Sequence, residues 1–86
     1  MEKSLKVSVS PPISPLLFGK LVATKRRLLG YTQKDLSTKV NLKKGMIGAM
    51  ERGQKMPNAM ATLMIMAILD ITYQDLVTVS QITLNQ

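Results

Sequence analysis

An all-α domain of five short helices is what this 86-residue sequence predicts, with short strands expected only in its N-terminal arm and C-terminal tail. Three observations carry that prediction. Apolar residues recur at helical spacing in several short segments. Ser14, Thr32, Asn58 and Thr72, all good N-cap residues, stand at the starts of four of them. Gly30, Asn41 and Gly53, which tolerate left-handed backbone, stand where segments end. The chain divides into an arm (1–13), a folded body (14–77) and a tail (78–86) that would act as a dimerisation strand.

In the arm, Leu5, Val7 and Val9 alternate with Lys6, Ser8 and Ser10, a period-two pattern that fits a short strand as well as an unstructured terminus. Pro11, Pro12 and Pro15 exclude a helix across the junction that follows. Ser14 and Pro15 then supply an N-cap and first-turn pair. Phe18, Leu21, Val22, Leu28 and Leu29 give the first helix one apolar face up to Gly30, with Arg26 on its edge.

The stretch Thr32 to Gly53 organises the rest. Thr32 with Asp35 makes a capping-box-like start, and Leu36 and Val40 form one apolar stripe. Asn41 turns the chain. Leu42 re-enters the core, and Met46, Ile47 and Met50 line the inner side of a helix from about Lys44 to Arg52, ended by Gly53 with Pro57 shortly after. That stripe leaves Lys44, Gly45, Gly48, Ala49 and Arg52 facing outward. Two glycines cost a short helix about 1 kcal/mol each relative to Ala, which suggests that something approaches the backbone closely.

Asn58 caps a helix from Ala59 to Leu69 that is apolar almost all round, with Met60, Met64 and Met66 among Leu63, Ile65, Ile68 and Leu69. It is either an enclosed central helix or one with a second apolar side for a partner, a surface on which adaptable Met is favoured. Thr72 and Asp75 repeat the capping box and start a short last helix through Leu76 and Val77. The tail, TVSQITLNQ, favours β structure and needs an edge to pair with, either the arm or the same tail of a second subunit.

Composition excludes several classes of function. With no cysteine and no histidine there is no material for disulfides, thiolate metal sites or imidazole catalysis, so neither cofactor nor metal is expected. The N-terminus lacks a signal-peptide apolar core, and the run Ala59 to Leu69 is too short to cross a bilayer, which points to a cytoplasmic protein without membrane contact. Charge is unevenly spread. Of the twelve Lys/Arg, ten lie between residues 20 and 55, against only Asp35 and Glu51 there. Residues 56–86 hold no Lys or Arg and two acids, Asp70 and Asp75. One end is thus suited to a polyanion and the other to protein.

Ser37, Asn41 and Ile47 occupy the small, αL-tolerant and branched apolar slots of two helices meeting at a corner. Together with R-x-x-x-G-Y-T-Q from Arg26 to Gln33 and E-R-G-x-x-x-P from Glu51 to Pro57, these residues make the chain from about Phe18 to Val77 resemble the phage-repressor (Cro/CI, or XRE-like) helix-turn-helix family. The resemblance implies a five-helix DNA-binding domain over residues 14–77. It also implies that Arg26 pairs with Glu51, and that Gln33 touches the DNA backbone and braces the recognition helix. The outward positions of that helix usually carry Gln, Ser, Arg or Asn in the family, and this sequence departs from that pattern.

The expected DNA-binding residues are Gln33, Lys34, Lys43, Lys44, Gly45, Gly48, Ala49, Arg52 and Lys55, with phosphate contacts and DNA shape outweighing base reading. The expected dimer contacts are Met60, Met64, Ile68, Ile82 and Leu84. The function read from this is a dimeric, sequence-specific repressor on a pseudopalindromic site with half-sites about 34 Å apart. Two rivals remain: an antitoxin that also binds a co-encoded toxin, and a protein-interaction adaptor that has abandoned DNA. Catalysis has no support.

Overall fold

Five helices follow one another in the computed structural model, which describes residues 14–84: α1 (Pro15–Leu28), α2 (Gln33–Lys39), α3 (Lys44–Glu51), α4 (Ala59–Leu69) and α5 (Tyr73–Leu84). No strand occurs among the described residues, and the strand expected over Leu5 to Val9 lies outside them.

Local chemistry sets the helix boundaries. The Leu17 N–H donates to Ser14 Oγ at 3.1 Å and the Ala61 N–H to Asn58 Oδ1 at 2.8 Å. Reciprocal capping boxes open α2 and α5. The Asp35 N–H donates to Thr32 Oγ1 (3.0 Å) and the Thr32 N–H to Asp35 Oδ2 (2.8 Å). Thr72 and Asp75 repeat the pair at 3.1 and 2.9 Å. Each such cap contributes about 1 kcal/mol by satisfying an otherwise orphaned donor.

The corner between α2 and α3 is closed by Asn41 at φ 56°, with the Leu42 N–H donating to the Ser37 carbonyl at 2.9 Å. Gly53, at φ +77°, ends α3 in the same manner, with the Gln54 N–H donating to the Ala49 carbonyl at 2.9 Å. The end of α4 uses a residue that sequence reasoning had not marked. Asp70 takes φ 56° and lets the Ile71 N–H reach the Met66 carbonyl at 2.8 Å.

The core is drawn from every helix and from the turn before α5. Phe18 and Val22 of α1, Leu36 of α2 with Val40 just beyond it, Ile47 and Met50 of α3, Ile65 and Leu69 of α4, and Ile71 enclose one another. Leu76 of α5 packs against this cluster. Burying each of the larger side chains contributes about 1.5–3 kcal/mol.

One expectation is corrected. The tail is not a strand: α5 continues as helix to Leu84, so Ile82 and Leu84 lie on a helix and the paired dimerisation strand is withdrawn. Once the Thr72–Asp75 box has nucleated the helix, each further residue adds a backbone hydrogen bond, whereas an isolated strand gains none without a neighbour. The β-branched residues of the tail oppose this by only a few tenths of a kcal/mol each. Of the two alternatives for α4, the enclosed one does not hold: the helix buries Ala61, Ile65 and Leu69 but leaves Met60 67%, Leu63 61% and Met64 37% exposed.

Candidate nucleic-acid interface

Helix α3 is held from beneath by α1 and α2. Gly19 of α1 lies against the last turn of α3, where an added β-carbon would overlap the Met50 carbonyl oxygen and sit 2.9 Å from that of Glu51. Only a residue without a side chain allows this approach. The sequence signal for it was a lone glycine inside a helical apolar pattern, and the reading passed over it.

A buried carboxylate fixes the same end of α3. Arg26 Nε donates to Glu51 Oε2 at 2.7 Å and Nη2 donates to Oε1 at 3.1 Å, a two-pronged pair in which the side chains are only 10% and 6% exposed. Arg26 Nη1 also donates to the Tyr31 carbonyl at 2.8 Å, and Gln33 Nε2 donates to Glu51 Oε1 at 3.0 Å. Glu51 therefore receives hydrogen bonds from α1 and α2 while standing on α3. The hydrogen bond to Glu51 raises the Arg26 pKa further above its ordinary value.

Lys34, Lys43, Lys44, Gly45, Arg52 and Lys55 are exposed, and Gln33 is half-buried. Gly48 and Ala49 do not face outward as the spacing implied. All four residues from Ile47 to Met50 are buried. Helices α1 and α2 both pack on α3, so a residue with little or no side chain sinks below the rims of its neighbours. Over Gly48 those rims are Arg52 and Gln33: a β-carbon there would lie 3.1 Å from Arg52 Nη1 and 3.6 Å from Gln33 Oε1. Met46, assigned to the inner stripe, is only half-buried.

Three residues of α1 were also missed. Lys20, Thr24 and Arg27 line a cleft of about 360 Å³ with Gln33, Gly48 and Arg52. The basic surface therefore extends from α3 onto the first helix. Other cations are engaged in holding the fold: Lys25 Nζ lies 3.6 Å from Asp75 Oδ2, and Lys39 Nζ lies 4.9 Å from the centre of the Tyr31 ring. The Thr32 and Thr72 backbone N–H groups hold the carboxyls of Asp35 and Asp75 below the usual carboxylate range, with Lys25 adding to the effect at Asp75.

Two short helices at a closed corner, locked by a buried ion pair and edged by exposed lysines, define a helix-turn-helix domain of the kind that docks on a nucleic-acid duplex. The family described as helix-turn-helix matches residues 22–76, and the chain belongs to it. Its helix-turn-helix is of the XRE type, a DNA-binding motif. Among its relatives, the Endothelial differentiation-related factor 1 homolog of Gallus gallus is 46% identical over 44 residues, covering 51% of this chain and 30% of that protein. The chain thus spans less than a third of the length of that relative. The crystal structure of the restriction-modification controller protein C.AhdI from Aeromonas hydrophila matches with a TM-score of 0.65 at 27% identity, over 72% of this chain and 94% of that one. Among the described residues, no helix is long and apolar enough to cross a membrane.

Proposed function

We propose that the protein is a cytoplasmic transcriptional repressor that binds a pseudopalindromic operator as a homodimer and acts by occupying it. The observation that carries this reading is the exposed first turn of α3, where Lys43, Lys44 and Gly45 stand at the end of the helix that enters the major groove in helix-turn-helix proteins. Lys43 and Lys44 reach guanine O6/N7 or phosphates, and Gly45 lets the backbone come close to the duplex. Gln33, Lys34, Arg52 and Lys55 contact phosphates around it. Gly48 and Ala49, being buried, do not read bases themselves. Affinity therefore comes chiefly from phosphates and DNA shape.

Dimerisation uses the exposed apolar strip of α4, Met60, Leu63 and Met64, with Ile68 at its edge. Ile82 and Leu84 would join it as positions on α5. A two-fold pair through this strip places half-sites about 34 Å apart. The likeness to a restriction-modification controller protein supports a regulatory role.

Footprinting on the DNA upstream of its own gene at two salt concentrations tests the reading. Two protected half-sites one helical turn apart, with protection falling steeply as salt rises, are expected. Absence of any retardation at low salt would instead identify an adaptor. The same strip fits a protein partner such as a toxin. Co-purification with the product of an adjoining toxin-sized gene, with the strip covered in the complex, would favour an antitoxin.

A further inference from the structure

We propose that Gly48 is a positioning residue for Arg52: by giving the middle of α3 no side chain, it lets the Arg52 guanidinium fold back along the helix and join Lys20 and Arg27 in clamping one DNA phosphodiester. The inference rests on the DNA-binding reading above and assigns to that reading a site that α1 shares.

Arg52 follows Gly48 by four residues and so stands one turn further along the same face. Its Nη1 would lie 3.1 Å from any β-carbon added to Gly48, so the guanidinium occupies the space a side chain would fill. The guanidinium is held there by Nε donating to Gln54 Oε1 at 3.1 Å. A long and ordinarily mobile side chain is thereby given room by Gly48 and held by Gln54 before any ligand arrives.

The cleft it enters is cationic. Lys20, Arg27 and Arg52 line it together with the Thr24 hydroxyl. Glu51 lines it too, but both of its oxygens are occupied, Oε2 by Arg26 and Oε1 by Arg26 and Gln33. Its charge is thus neutralised from behind and does not oppose an anion. Arg52 sits at the C-terminal end of α3, while base edges are met by the N-terminal residues of a recognition helix. A planar guanidinium fork at that end matches a phosphodiester.

The test has two arms. Without DNA, NMR of the arginine Nε–H groups follows Arg52 directly, and in Gly48→Val its resonance should move to the position of a solvated arginine. With DNA, the upstream duplex and a random duplex are titrated at two salt concentrations against wild type, Arg52→Ala, Gly48→Val and the double variant. Arg52→Ala should weaken both duplexes about tenfold or more, and should lower the salt slope by about one. Gly48→Val should do the same, and the double variant should bind no more weakly than either single one. Gly48→Ala, which asks the guanidinium to give by only a few tenths of an ångström, should fall between. The thermal midpoint of Gly48→Ala should not drop, because Ala favours helix over Gly.

An unmoved Arg52 resonance in Gly48→Val, or losses that multiply in the double variant, would overturn the positioning role; multiplied losses would mean that Val collides with the duplex itself. Wild-type binding that Arg52→Ala leaves intact would overturn the clamp and spare the DNA-binding reading. A wild-type protein that retards no duplex at low salt would remove both.

Discussion

Replacing glycine by alanine at two places in this chain should move stability in opposite directions. At Gly19 the new methyl meets main chain: it overlaps the Met50 carbonyl oxygen and lies 2.9 Å from the Glu51 carbonyl oxygen, neither of which can swing aside as a side-chain tip would. The helices α1 and α3 must separate, loosening the core between Phe18 and Met50. Overpacking of this kind costs about 1–3 kcal/mol or somewhat more. The helix preference of Ala over Gly returns about 1 kcal/mol. With the clash against main chain placing the cost at the upper end of that range, a net loss of up to about 2 kcal/mol results.

At Gly45 nothing lies within 4 Å of the added methyl, so only the helix preference acts and the variant gains up to about 1 kcal/mol. In urea, with a slope of about 1–2 kcal/mol per molar, the Gly19→Ala midpoint should fall by about 1–2 M and the Gly45→Ala midpoint should rise by about 0.5 M. Shifts of the same sign would refute the close crossing of α1 and α3.

Glu51→Ala strands the buried Arg26 charge and the Gln33 amide. It should cost about 3–5 kcal/mol, whereas the exposed Lys44→Ala should change stability little; equal urea midpoints would contradict this. Leu63→Glu, which places charge in the exposed strip of α4, should shift the protein toward monomer in sedimentation and weaken operator binding while leaving helical content unchanged. Acid should loosen α2 and α5. The depressed carboxyls of Asp35 and Asp75 contribute stability that is fully present above the ordinary Asp value of 3.8 and is lost as pH falls through their lower folded values. Asp35→Asn and Asp75→Asn should each flatten the acid limb of a plot of melting temperature against pH.

Much of the fold was legible because its helix ends depend on neighbours in sequence. Thr32 with Asp35, Thr72 with Asp75, Ser14 and Asn58 cap helices through contacts three residues long, and Asn41 turns the chain by its own backbone tolerance. The tail misled because period-two alternation competes with a cap upstream, and the cap had already set the helix running. In the site, Arg26 and Glu51 could be paired only through the family resemblance, being 25 residues apart. Gly19, Lys20, Thr24 and Arg27 were invisible as site residues because their roles exist only once α1 lies across α3. Periodicity gave Gly48 an outward place, but it says nothing about the height of the surrounding side chains, which bury it.

Glu51 binds three helices to a single carboxylate, and that has a bearing on how such regulators diversify. The tilt of α3 is inherited largely from the interior, through the buried Arg26. Lys43, Lys44 and Gly45, outside that lock, are at liberty to drift. On the proposed reading, new DNA preferences would arise by exchanging a few surface letters while the frame that presents them persists unchanged.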